Sequence, residues 1–122
     1  MFKYLVFLVL AVSAPALAAQ STPTVPKRFQ GEWNERVNDC GTGDNDSAMR
    51  LTATRLELYE SSGPIRAVVT NGEFELMVIA ELSGEGESHF LYRRYRLAGD
   101  GSYLADVTDG DKYIRYRCPA KR

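Results

Sequence analysis

A chain of 122 residues with 15 basic and 16 acidic side chains is long enough for one domain with a real core. Its formal charge of −1 gives no electrostatic reason to bind nucleic acid or an anionic lipid surface. No internal repeat or low-complexity segment interrupts it.

The chain opens MFKYLVFLVLAVSAPALAAQS. Lys3 and the amino terminus make a short positive region, and residues 5–12 are apolar and uncharged. Pro15 ends that run, and Ala16-Leu17-Ala18 has the small-x-small spacing of a cleavage site. Residues 1–18 are therefore expected to be a signal peptide, helical before removal. The expected cut follows Ala18; a cut after Ala19 would put Leu17 at a small-residue position. The apolar run is shorter than the about 20 residues a bilayer core requires. Lys3 is the only charged residue in this leader, so its removal takes the formal charge from −1 to −2. The first cysteine is Cys40, far from the cut, so no lipoprotein anchor is expected. The expected product is soluble, without a membrane anchor, and periplasmic or secreted. Export makes nucleic acid a still poorer partner.

Cys40 and Cys118 are the two cysteines. In an oxidising compartment an isolated pair forms a disulfide. This one would close nearly the whole domain, worth on the order of 4 kcal/mol by chain entropy. Metal or redox use is the competing reading, but there is no C-x-x-C and one histidine.

Residues 19–28, AQSTPTVPKR, are polar with Pro23 and Pro26, and read as a flexible leader before a single β domain at 29–122. A first strand is expected around 29–34. Residues 47–60 suit two short strands with a turn near Thr54, because Leu56 and Leu58 alternate with Arg55, Glu57 and Tyr59. A helix is the alternative there, with Ser47 as cap and Ala48, Leu51, Arg55 and Leu58 on one face. Ser62-Gly63-Pro64 reads as a turn or bulge, and 64–70 as a strand. Asn71-Gly72 then makes a hairpin into 73–82, the clearest strand in the chain. Phe74, Leu76, Val78, Ala80 and Leu82 share one of its faces. Turns at 84–86, 99–101 and 109–110 separate further strands at 88–98, 102–107 and 112–118. The sum is an all-β antiparallel meander of seven or eight strands. Closing it into an up-and-down barrel would remove its sticky edges and bring the first and last strands together at the disulfide.

The first strand contains Gly31-Glu32-Trp33, with Trp33 the only tryptophan. A Gly-x-Trp opening a small exported β-meander resembles the calycin group, which includes lipocalins and avidins. The resemblance implies a barrel whose tryptophan closes one end under an arginine from the last strand, here Arg115 or Arg117. The chain is shorter than lipocalins, lacks their long first loop, and lacks the avidins' biotin-contacting polar residues. The resemblance therefore implies the architecture and no particular ligand. The chain is also similar to small exported bacterial β-barrel proteins, a likeness that implies no activity.

Candidate sites are few. His89 stands without a nucleophile motif, and neither Gly-x-Ser-x-Gly, His-Glu-x-x-His nor a phosphate-binding loop is present. Asp44 and Asp46, and the cluster Asp106, Asp109 and Asp111, invite a calcium reading, but Asp, Asn and Gly are also what turns select. No catalytic residue, cofactor or metal is expected. Residues 92–96, Tyr-Arg-Arg-Tyr-Arg, with Arg115, Tyr116 and Arg117, could grip an acidic partner or a glycan. The alternative is an outer face paired with Glu73, Glu75, Glu81 and Glu87. The loop at 40–47 and the turn beyond Glu57, Tyr59 and Glu60 are the best candidates for a contact surface. Trp33, Tyr59, Arg94, Arg96 and Arg115 are thus the candidate binding residues. The expected function is a non-enzymatic binding protein of the cell envelope whose partner is a protein or small molecule. The alternative is a periplasmic inhibitor of a protease or lysozyme.

Overall fold

The computed structural model describes residues 8–14, 23–43 and 45–120. Eight antiparallel strands follow in chain order: β1 (Gly31–Asn34), β2 (Met49–Leu51), β3 (Arg55–Leu58), β4 (Ser62–Asn71), β5 (Glu75–Gly84), β6 (Glu87–Leu97), β7 (Tyr103–Asp106) and β8 (Tyr113–Arg117). Each pairs with its chain neighbour, and β8 returns to β1, so the meander closes into a barrel. Short 3-10 turns occupy Lys27–Phe29 and Val37–Asp39, and no α-helix occurs among the described residues. The signal-peptide helix expected over 1–18 lies outside the described residues, apart from 8–14, which carry no assigned helix or strand.

The strands form where apolar side chains recur every second residue. In β5, Leu76, Val78, Ala80 and Leu82 are buried, while Met77, Ile79 and Glu81 face outward. Phe74, expected on the inner face with them, lies before β5 in the turn and is half-exposed; its carbonyl accepts from the Leu97 amide at 2.7 Å. Residues 47–60 form the two short strands, not the helix. Met49 and Leu51 sit opposite Leu58 and Leu56, so both strands contribute to one inner face. The β5–β6 turn is the two residues Glu85 and Gly86, both with positive φ (52° and 78°), the geometry that matches sheet twist.

The strand pattern in β4 is broken by a bulge. Ile65 pairs with Ala80 but Ala67 pairs with Ile79, which shifts the register between them. Beyond the bulge Val68 packs against the core and Val69 points to solvent. At its start β4 crowds β5: a Cβ on Gly63 would fall 1.8 Å from the Glu81 carbonyl oxygen, so only glycine fits.

One end of the barrel is plugged. Val25, Phe29 and Trp33 are fully buried and join Leu51, Leu76 and Leu104 in a single core cluster. The leader expected at 19–28 is thus corrected at its far end. Val25 belongs to the core, and its amide donates to the Ala53 carbonyl at 2.9 Å. The cause is an apolar side chain placed between two prolines, which extend the chain across the barrel mouth. The opposite rim carries residues 35–48, 59–61, 85–86 and 107–112.

Candidate functional site: a cleft between two rim loops

The longest rim connection, 35–48, folds back over the outside of β1 and β8. The disulfide Cys40–Cys118 anchors it, with Cα atoms 5.6 Å apart. Asn34, fully buried on β1, donates to Cys118 Sγ at 3.3 Å and to Glu32 Oε1 at 3.4 Å. Ser47 is the second anchor. Its hydroxyl donates to Asn45 Oδ1 at 2.6 Å and accepts from the Glu35 amide at 3.1 Å. Arg115 Nε donates to the Ser47 carbonyl at 2.8 Å, and Tyr113 Oη donates to Glu35 Oε2 at 3.2 Å. Burial raises the Tyr113 pKa; Arg115 opposes that rise and Glu35 adds to it. A loop pinned from both flanks presents its surface without first having to be ordered.

Beside it lies the tight β3–β4 turn, where the Leu58 amide donates to the Ser61 carbonyl at 2.7 Å. The two loops meet over a cleft of about 160 Å³, lined by Glu32, Gly43, Met49, Arg50, Glu57 and Tyr59 among others. Asp46 and Glu60 line a second concavity that shares Leu58 and Tyr59. The floor follows from strand register. Glu32 pairs with Arg50, and Arg50 with Glu57, which sets the three on one outward row. The Arg50 guanidinium stands 3.7 Å from each carboxylate. Glu32 is also committed to the loop, since its Oε1 accepts from the Gly41 amide at 2.9 Å. Glu57 is 43% exposed and Tyr59 45%. Two carboxylates flank the one guanidinium, and two more line the adjoining concavity beside the Tyr59 ring, which leaves an acidic surface suited to a cationic side chain.

The structure separates the remaining candidate residues. Trp33 is fully buried and forms part of the plug. Arg117, not Arg115, lies over its ring at 4.2 Å, because Trp33 and Arg117 are direct partners across β1 and β8. Arg117 also donates to three carbonyls: Gly101 at 2.9 Å, Gln30 at 2.9 Å and Arg28 at 2.6 Å. Arg115 packs over the Tyr113 ring at 4.7 Å and serves the loop. Alternation in β6 splits the basic run. Arg94 and Arg96 face outward with Arg94 bonded to Glu75, while Arg93 faces inward to Asp106 at 3.4 Å and Asp109 at 3.9 Å. Glu81 is taken by Arg66 at 2.9 Å. The five candidates therefore do not form one patch. Tyr59 alone lies in the cleft, and Arg115 supports the cleft's loop from behind. No sequence signal marks Glu32 and Arg50 as site residues, since only the pairing register brings them beside Glu57. Among the described residues no cluster of three or more metal-ligating side chains occurs.

Fold and site together define an eight-stranded, disulfide-closed barrel with a filled interior and an acidic cleft on its outer wall. Comparison with protein-family models, curated proteins and solved structures finds no match.

Proposed function

We propose that this chain is an exported, non-enzymatic binding protein of the bacterial cell envelope, calycin-like in build, that takes its partner on the outer loop cleft. One observation carries the reading. The two loops whose turn chemistry marks them as contact segments converge on a single cleft at Tyr59, while core side chains fill the barrel. A filled barrel leaves no room for a ligand inside it, so the partner binds from outside. The residue pattern of 1–18 and the Cys40–Cys118 bond support export, since such bonds persist in oxidising compartments. The Arg117–Trp33 stack at the plugged end supports the calycin-like build. His89 stands exposed on β6 opposite Leu82, outside the cleft, which favours binding over catalysis.

The acidic make-up of the cleft favours a second reading, an inhibitor that covers a basic surface on a hydrolase such as a lysozyme or protease. The test is an affinity capture from envelope extract with the oxidised protein, run beside Tyr59→Ala and Glu57→Lys. Both positions are half-exposed, so the variants keep the fold. The proposal expects a partner retained by the parent and lost from both variants; equal retention by all three removes the cleft as the site. Lysozyme and protease assays at micromolar protein decide the second reading, which is abandoned if no enzyme is inhibited.

A further inference from the structure

The barrel wall is not closed along its whole height. β6 runs over Glu87–Leu97, but β7 pairs only with Tyr95, Arg96 and Leu97. The Arg94 amide and carbonyl are still engaged on that side, by Thr108 Oγ1 and the Val107 amide, each at 2.9 Å. Residues 87–93 have β5 on one side and no strand on the other among the described residues. Backbone groups alternate in direction along a strand. Since those of Arg94 point away from β5, so do those of Tyr92, Phe90 and Ser88. Protected edges carry lysine, proline, a bulge or inward-pointing charges. This one has neither lysine nor proline, and its outer face shows Phe90, 68% exposed and the most exposed aromatic among the described residues. Tyr92 stands beside it, paired with the exposed Ile79 on β5.

We propose that this edge pairs with the same edge of a second copy of the chain, antiparallel, about a two-fold axis at Phe90. Phe90 is the midpoint of the free stretch 87–93, so this register alone uses all of it. It sets Phe90 opposite Phe90 of the second copy and Ser88 opposite its Tyr92, each pair exchanging both backbone hydrogen bonds. It also sets Glu87 opposite Arg93 of the second copy, twice over by symmetry. Those inward-facing charges would repel foreign edges, and in this register they complement each other. Arg93 already faces Asp106 and Asp109, so it reaches the added carboxylate from a position held by ion pairs. On the outer face Ile79, Tyr92 and Phe90 of both copies become one continuous apolar stripe whose side chains pack side by side across the new strand pair. The loop cleft is on the β1–β3 wall, so each copy keeps its own.

The test is sedimentation velocity on the purified, oxidised protein and on Phe90→Lys and Phe90→Asp, at matched concentrations. Because Phe90 is exposed, both variants fold, which far-UV circular dichroism checks. The parent is expected to dimerise. Each variant alone is expected to self-associate at least about tenfold more weakly, from like charges at the axis, and an equimolar mixture to recover a dimer. Hydrogen exchange at the Ser88, Phe90 and Tyr92 amides is expected to slow as the parent is concentrated. A parent monomeric at every concentration overturns the proposal, as does a dimer insensitive to both substitutions. A mixture that stays monomeric while the parent dimerises overturns the Phe90-centred register.

Discussion

The two halves of the barrel are held by different means. β4, β5 and β6 are 10 or 11 residues each and stand on a long ladder of backbone pairs. β1, β2, β3, β7 and β8 are 3 to 5 residues each, too short to supply much pairing of their own. Side chains supply what they lack: the Cys40–Cys118 bond, the three carbonyls gathered by Arg117, and the Asn34, Ser47 and Arg115 bonds beneath the loop. The contrast teaches where function can sit. The long-strand half spends its length on regular pairing and leaves a free edge. The short-strand half is mostly connection, and its cross-linked connections form the cleft.

The largest expected effect comes from the disulfide. Reduction, or the double replacement Cys40→Ser with Cys118→Ser, removes a link across 78 residues, and roughly 4 kcal/mol of unfolding free energy should go with it. Urea unfolding of both forms measures the loss, and an unchanged midpoint would mean the staple is idle. Arg117→Ala should cost about 3 kcal/mol, since it orphans carbonyls at the plugged end and uncovers Trp33. Trp33 emission should shift to the red in the folded state. Leu82→Ala, at the end of β5 far from the plug, should cost a similar amount by leaving a cavity, yet leave Trp33 emission where it was. That difference separates the two halves more sharply than the energies do.

Smaller effects follow from titration. Burial raises the Tyr95 phenol pKa, with Asp106 adding to it and Arg115 and Arg93 opposing. Unfolded tyrosine ionises near pH 10 and the buried one later, so stability is intact below about 10 and falls as pH rises beyond it. Tyr95→Phe should flatten that part of the alkaline decline, read as urea midpoints on either side of about pH 10. The hydrogen bond from Arg94 lowers the Glu75 pKa. Its contribution is present above the ordinary carboxylate range and fades as pH falls through the lowered value. Arg94→Gln should move the Glu75 titration upward in carbon-detected NMR; no movement would show the pair is not formed in solution.

Much of this architecture is legible in the sequence. The alternation in 73–82 marks β5, and Asn71-Gly72 marks its hairpin, because each is a local signal. What stayed hidden depends on register. The apolar residues 65, 67, 68 and 69 fit either face, and the bulge after Ile65 decides that Val68 goes in and Val69 out. Arg115 and Arg117 are equivalent by spacing, since both share β8's inner face. The pairing of Trp33 with Arg117 chooses between them. Val25 reads as part of a polar leader because one apolar residue between prolines has no periodicity to reveal it. In the cleft, Tyr59 and the 40–47 loop could be named from turn chemistry. Glu32 and Arg50 could not, being distant in sequence and joined only by strand pairing.

Cross-linked connections hold the short-strand half, and with it the cleft. Native-state hydrogen exchange of the oxidised and reduced protein tests this most directly. The prediction is that reduction strips protection from β1, β2 and β8 amides while β4, β5 and β6 keep most of theirs. An even loss across all eight strands would contradict it.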